Sequence, residues 1–335
     1  MTRDQFAING QSLIVTNEVV PGQGEDSYAA ETDALGGLIC VADGCGGIGS
    51  RRYAKLQNHT EAFVAARLVA ACTREWVSDM DGRRLPCNPA EANACAAQLT
   101  ENLRVKLTDF HTLYRNAEGS RIIMRDLQRT LPTTLCAALI DARARKQLSS
   151  VFFWAGDSRG YVLSTDGLRQ CTADHVVGHT DAMENLYRDS RLSNMVNADR
   201  DFYLDAYGLT VATPCVVLTA TDGCFGYLPT PMEFELLLLT TLQAANDLVG
   251  WRTRLRNALG KLASDDSTLV MACYGVDTYA ELKEAFAQRR AALQAKFVTP
   301  VRRRRQNLDF ARGLWEDYRQ GYELNEEVLH ADWRL

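Results

Sequence analysis

Five small or apolar residues, Leu38-Ile39-Cys40-Val41-Ala42, run straight into Asp43 and then into the glycine-rich turn Gly44-Cys45-Gly46-Gly47-Ile48-Gly49-Ser50. A short apolar run bounded by turn residues reads as a buried strand. A carboxylate at the end of such a strand is costly unless something pairs with it, and glycines let backbone approach whatever lies there. The stretch is therefore a site, and two kinds of site fit it: a cation held by Asp43, or a phosphate held by the glycine loop. Gly44, Gly46 and Gly49 do spell G-x-G-x-x-G between a strand and a helical pattern, which is the dinucleotide fingerprint. Two features oppose that reading. Asp43 would repel a pyrophosphate, and no second strand ending in an acidic residue follows about 20 positions on. Instead the chain runs on as helix through Ala54, Leu56, Ala62, Phe63, Ala66, Leu68 and Val69. A cation site then needs carboxylates from elsewhere in the chain.

Composition removes several function classes. A net charge of -5 gives no bulk attraction to nucleic acid or to an anionic membrane. Residues 1–10 lack the apolar core of a secretory signal, and the most apolar run, 234–245, is far too short to cross a bilayer. The ten cysteines are scattered, without a C-x-x-C pair or a His/Cys cluster at zinc spacing. They read as small buried residues in a reducing cytoplasm.

In chain order, residues 11–20 read as a strand, Pro21 to Gly24 as a turn, and 51–78 as a helix. A loop over 79–89 leads to a second helix over 90–115, and a turn falls at Glu118-Gly119. Strands follow at 133–141, 151–155 and 160–164, the last closed by the hairpin signal Asp166-Gly167. Residues 174–213 are polar and too long for an ordinary connection, so they are a candidate functional loop. A strand at 216–220, helices over 231–248 and 251–263, and a last strand at 269–274 complete a unit spanning 1–275. Residues 276–335 read as a more charged helical extension.

Four aspartates share one kind of position. Asp43 and Asp222 each end an apolar strand before a glycine, Asp157 follows the run Val151 to Gly156, and Asp265 precedes its strand. In antiparallel sheets the end of one strand and the start of its neighbour lie on the same edge. These carboxylates can therefore meet at one rim, joined by Glu25 and Asp26 from the turn before the Asp43 strand. Five or six carboxylates at one place cannot all stay ionised without cations. Oxygen-only ligands favour Mg²⁺ or Mn²⁺, and such a cluster suits a two-metal centre that activates water and clamps a phosphoryl group.

Seven motifs now stand in a fixed order. They are Glu25-Asp26-Ser27, Val41-Ala42-Asp43-Gly44-Cys45-Gly46-Gly47, Thr133-Thr134-Leu135, Gly156-Asp157-Ser158-Arg159-Gly160-Tyr161, Cys171-Thr172-Ala173-Asp174-His175, Leu218-Thr219-Ala220-Thr221-Asp222-Gly223 and Asp265-Asp266-Ser267-Thr268. Across about 10–275 the chain resembles the metal-dependent Ser/Thr protein phosphatases of type 2C, in their bacterial form. The resemblance implies an α+β fold of four layers, α-β-β-α, with two antiparallel sheets flanked by helix pairs. It implies two to three Mn²⁺ or Mg²⁺ ions. Asp43 would bridge two of them, with Glu25 and the Gly44 carbonyl serving one, and Asp222 and Asp265 the other. Asp157 would belong to a third position, and Asp26 and Asp266 would support the ligands from behind. The implied reaction is hydrolysis of phosphoserine or phosphothreonine in proteins by a water activated between two metals, opposing a Ser/Thr kinase. A second reading is a catalytically weak phosphoprotein-binding regulator that keeps the metal site.

Some positions depart from the family. Pro21 stands where the family usually has a phosphate-gripping arginine, and nothing basic lies between Glu18 and Ala30. Arg51 and Arg52, close in sequence to Asp43, are the candidate replacements. Cys45 stands where a histidine or methionine is common, and Pro132 where a glycine is. His175 and His179 are four apart, but His175 falls in the family's "DH" motif, so neither is expected to bind metal. In the tail, Arg302 to Arg305 precede Phe310, Leu314, Trp315, Tyr318 and Tyr322. This set reads either as a helix packed on the catalytic unit or as a docking helix for a partner.

Overall fold

The central strands are buried on both faces, because each sheet is covered twice. The structure is a computed structural model and describes residues 7–80, 84–115, 129–144, 146–178, 181–187, 190–304, 307–324 and 333–335. The expected turn at Glu118-Gly119, His179 and Arg305 lie outside the described residues. In chain order the elements are β1 (Ser12–Asn17), β2 (Ser27–Asp33), β3 (Gly36–Ala42), β4 (Arg52–Tyr53), β5 (His59–Thr60), α1 (Glu61–Asp79) and α2 (Pro89–Arg115). Then come β6 (Leu135–Asp141), β7 (Gln147–Ala155), β8 (Arg159–Ser164), β9 (Gly167–Gln170), β10 (Asp205–Ala212), β11 (Cys215–Ala220), α3 (Pro231–Ala244) and α4 (Leu248–Leu262). The last are β12 (Ser267–Tyr274), α5 (Tyr279–Leu293), α6 (Thr299–Arg303) and α7 (Leu308–Tyr322).

Among the described residues, two five-stranded antiparallel sheets result, ordered β1-β12-β11-β8-β9 and β10-β7-β6-β3-β2. The alternation of side chains along each strand divides the core into three layers. Ile39 and Val41 of β3 face Val270 and Ala272 of β12 between the sheets. Leu38, Cys40 and Ala42 point the other way, onto α1 and α2. Leu269, Met271 and Cys273 likewise point outward, onto α3, α4 and α5. This is the expected α-β-β-α sandwich. Trp315, Tyr318 and Tyr322 of α7 are buried in the same outer layer as α3 to α5, so the tail's aromatic face lies against the sheet. Among the described residues, no helix is long and apolar enough to cross a membrane.

Two expectations change. The helix expected from residue 51 begins at Glu61. Residues 52–60 instead form the β4–β5 hairpin, which turns through Gln57 and Asn58 in left-handed conformations at φ 55° and 62°. Thr60 then starts α1 as its N-cap, accepting from the Phe63 amide at 3.1 Å. The loop expected over 174–213 is also shorter, because 205–212 pairs with β7 as the edge strand β10. Tyr207 and Leu209 bury one face of that strand between the sheets, a period-two signal present in the sequence.

Candidate metal centre

The register of the sheets brings the acidic strand ends together. Ser27 pairs with Ala42, which sets Glu25 and Asp26 beside Asp43. Ala220 pairs with both Leu269 and Arg159, which sets Asp222 between the Asp265 turn and Asp157. Hydroxyls then fix the backbone at each end. Thr133 Oγ1 donates to the Asp43 carbonyl at 2.7 Å, and the Asp43 amide donates to Thr134 Oγ1 at 3.1 Å. Thr221 Oγ1 donates to Asp26 Oδ2 at 2.8 Å while accepting from the Thr268 amide at 2.9 Å. Asp266 accepts from the amides of Val19 at 2.8 Å and Glu25 at 2.7 Å. It therefore anchors the turn that carries Glu25.

Glu25 has a shaped seat. Its carboxylate accepts from Thr60 Oγ1 and lies against Gly46, where a Cβ would fall 2.0 Å from Glu25 Oε2. A side chain at Gly46 would occupy the place the carboxylate uses.

Electrostatics divide the group into two parts. Burial, then the charges of Asp26, Asp222 and Asp157, hold the Asp43 carboxyl well above the usual carboxylate range. Burial pushes Asp26 up to about 8, against hydrogen bonds from Thr221 and Thr268. Burial likewise pushes Asp157 up to about 8, with Asp222 and Asp174 adding to it. Asp222 is raised by burial, and it and Asp43 are close enough for one carboxyl to donate to the other. Glu25 forms the outer part with Asp265 and Asp266; burial raises it first, and the two aspartates add to the shift while Arg52 opposes it.

Oxygen donors only, and a buried Asp222 Oδ1 with no hydrogen-bond partner, fit a hard divalent cation. Among the described residues, no three His, Cys, Asp or Glu side chains close on one point as a finished metal cage would. The carboxylates ring a shared space, and two of them turn toward each other.

Neither a family model nor a curated protein matches this sequence. Solved structures do match the fold. The Mycobacterium tuberculosis serine/threonine phosphatase PstP/Ppp is 22% identical, with a TM-score of 0.53 over 79% of this chain and 98% of that one. Serine/threonine phosphatase Stp1 from Staphylococcus aureus is 17% identical, with a TM-score of 0.54 over 82% and 98%. The chain has the bacterial type 2C phosphatase fold. A further match is the PstP catalytic domain in complex with two manganese ions, 22% identical with a TM-score of 0.52 over 78% of this chain and 97% of that one.

Within the type 2C fold, the two candidate arginines part ways. Arg51 is 3.8 Å from Glu61 and lies 5.9 Å over the Tyr53 ring. Arg52 lines a cleft of about 720 Å³ together with Pro21, Glu25, His59 and Asp265, its Nη1 donating to the Asn58 carbonyl at 2.9 Å. Neither begins a helix, so neither faces the positive end of a helix dipole. Arg52 thus reaches the cleft that Pro21 also lines, supplied by the β4–β5 hairpin.

His175 serves the scaffold. Its Nδ1 accepts from the Gly156 amide at 3.2 Å and lies 2.9 Å from Asn194 Nδ2, so Nε2 carries the proton toward Asp205 Oδ2 at 2.9 Å. Sequence reasoning gave no role to Thr60, Thr221 or the buried pair of Arg159 and Asp174. Arg159 Nε and Nη2 meet Asp174 at 2.8 and 2.6 Å, and the guanidinium stacks 4.3 Å from the Phe225 ring centroid. The signal for Thr60 was an N-cap residue before an apolar helical pattern; the Arg159–Asp174 pair spans two motifs and has no local signal.

Proposed function

We propose that this protein is a metal-dependent phosphatase that hydrolyses phosphoserine and phosphothreonine in proteins, with residues 1–275 as the catalytic unit and 276–335 as an extension of it. The observation that carries the proposal is the inner group of Asp26, Asp157 and Asp222 around Asp43, whose buried carboxyl the other three charges push up, with Asp222 Oδ1 buried and without a hydrogen-bond partner. Such a group is a cation site by its chemistry. Asp43, Glu25 and the Gly44 carbonyl would hold one Mn²⁺ or Mg²⁺, with Asp43, Asp222 and Asp265 holding a second and Asp157 reaching a third. When bound, these ions lower the pKa of a shared water and neutralise charge that develops on the phosphoryl oxygens. The PstP structure with two manganese ions supports the pair of metals in this fold.

The chain's own groups do the rest. Thr133 and Thr134 hold the Asp43 backbone, Thr60 and Gly46 seat Glu25, and Asp266 fixes the turn between them. Arg52 faces the phosphate across the cleft and orients it by charge-assisted hydrogen bonds. The enzyme opposes a Ser/Thr kinase. Pro21 favours a second reading, a weak phosphoprotein-binding regulator, because the usual arginine is gone from that turn.

Hydrolysis of a phosphothreonine peptide and of an aryl phosphate separates the two. The proposal expects Mn²⁺-dependent turnover, lost reversibly with chelator and lost in Asp222→Asn with the fold intact. Turnover that survives both treatments refutes the metal reading, and metal-dependent peptide binding without turnover establishes the regulator.

A further inference from the structure

The segment 181–187 lies between the tail helix α7 and two neighbours of the site, Asp174 and the loop after Asp222. On the tail side, Asp181 Oδ2 stands 3.4 Å from Arg312 Nη2 and 3.5 Å from Arg319 Nη1, and its side chain is only 6% exposed. The other oxygen, Asp181 Oδ1, accepts from the amides of Met183 at 3.1 Å and Glu184 at 2.8 Å, which closes the turn. Glu323, at the end of α7, accepts from the Ala182 amide at 2.7 Å and is itself 2.7 Å from Arg319 Nη2. Ala182 and Met183 are buried with Trp315 and Tyr318.

On the site side, Asn185 Nδ2 donates to Asp174 Oδ2 at 2.7 Å. Asp174 is the partner of Arg159, which lies over Phe225 in the loop after Asp222. Tyr187 donates to the Pro229 carbonyl of that same loop. A single exposed ion pair contributes little. Here one nearly buried carboxylate gathers two guanidinium groups from α7 and two amides from the segment. The arrangement fixes where the segment stands rather than merely adding attraction.

We propose that Arg312, Arg319 and Glu323 are positioning residues: they hold segment 181–187, through Asp181 and the Ala182 amide, against Asp174 and the loop after Asp222, where the segment helps to bind a phosphoprotein substrate. The inference rests on the phosphatase reading. It places in α7 a control of substrate affinity, with the chemistry of the metal centre unaffected. A small aryl phosphate needs only the centre; a phosphopeptide needs the segment as well.

The test is the double variant Arg312→Ala/Arg319→Ala in the full chain, beside Arg312→Lys/Arg319→Lys. Hydrogen exchange of the Ala182 to Leu186 amides should quicken roughly tenfold in the alanine variant and return toward the parent rate in the lysine variant. KM for a phosphothreonine peptide should rise several-fold while kcat and KM for the aryl phosphate stay at parental values. If the alanine variant fails to fold, Glu323→Gln, which keeps an acceptor for the Ala182 amide and removes the charge facing Arg319, takes its place and should show the same split in smaller measure. Unchanged exchange at 182–186 overturns the inference, as does faster exchange without a change in peptide KM. A parent protein without any turnover would refute the phosphatase reading instead, and the exchange measurement would still decide whether α7 holds the segment.

Discussion

Gly46→Ala should cripple the proposed metal centre while leaving the fold alone. Gly46 is outside the left-handed region of backbone conformation, so alanine can adopt its backbone without strain. The new Cβ, however, would stand 2.0 Å from Glu25 Oε2, and ordinary contact begins at 3.4 Å. The carboxylate must therefore retreat by about 1.4 Å, which also pulls it from Thr60 Oγ1. A misplacement of about 1 Å in a reacting constellation costs on the order of a hundredfold, or about 2.7 kcal/mol in transition-state stabilisation. Gly47 supplies the control, because a Cβ there meets nothing within 4 Å. The assay is a Mn²⁺ titration of aryl phosphate hydrolysis for the parent, Gly46→Ala and Gly47→Ala, with thermal melts of each. Gly46→Ala should need roughly ten- to a hundredfold more Mn²⁺ and lose kcat/KM, while Gly47→Ala follows the parent. Parental metal dependence in Gly46→Ala would refute the assignment of Glu25 to a metal.

Arg52→Ala should lower kcat/KM roughly ten- to a hundredfold, the effect of about 1.5–3 kcal/mol from one charge-assisted contact. Arg51→Ala, whose parent side chain pairs with Glu61, should stay near parental; the opposite ranking in steady-state kinetics would exclude Arg52. In metal-free protein, folding holds protons on Asp26 and Asp157 at about 8 against an ordinary value of 3.8. Their protonated forms favour the folded state, so stability should fall as pH rises from about 4 to 8. Melts in chelator at pH 5 and pH 8 check the sign, and adding Mn²⁺ at pH 8 should recover the loss. Trp315→Ala, which empties a fully buried site under α7, should cost about 3–5 kcal/mol by denaturant unfolding; an unchanged midpoint would mean that α7 does not pack as described.

The carboxylates were legible because each sits at a strand end, where an apolar run breaks on an acid and a turn. Antiparallel pairing then leaves few ways to arrange them, and the registers of β2, β3, β11 and β12 bring them to one rim. The hairpin at 52–60 was not legible as such. Ala54 and Leu56 continue the apolar spacing of α1, and the break depends on left-handed Gln57 and Asn58, which few side chains signal. The β10 strand was hidden in a polar loop because only Tyr207 and Leu209 of its inward face are large and buried. Asp181 and Arg319 could not have been paired from sequence, since 138 positions separate them and neither lies in a motif.

The pairing of the first strand with the last sheds light on how the chain is made. Ser12 of β1 lies opposite Ala272 of β12, and the Glu25 amide is held by Asp266. This strand and the turn after it thus wait for their partners until the chain has been synthesised as far as β12. At about 5–20 residues per second, the intervening stretch of about 250 residues takes roughly 10–50 s to leave the ribosome. Throughout that interval Leu13 and Val15 of β1 lack the helices that cover them, its backbone lacks the β12 ladder, and the acidic turn after it has no opposing carboxylates. The helical layer on α1 and α2 can assemble on β2, β3, β6 and β7 in the meantime, so synthesis orders the two sheets in time. The rim, drawing on both sheets, cannot be complete until Asp265 and β12 have been made.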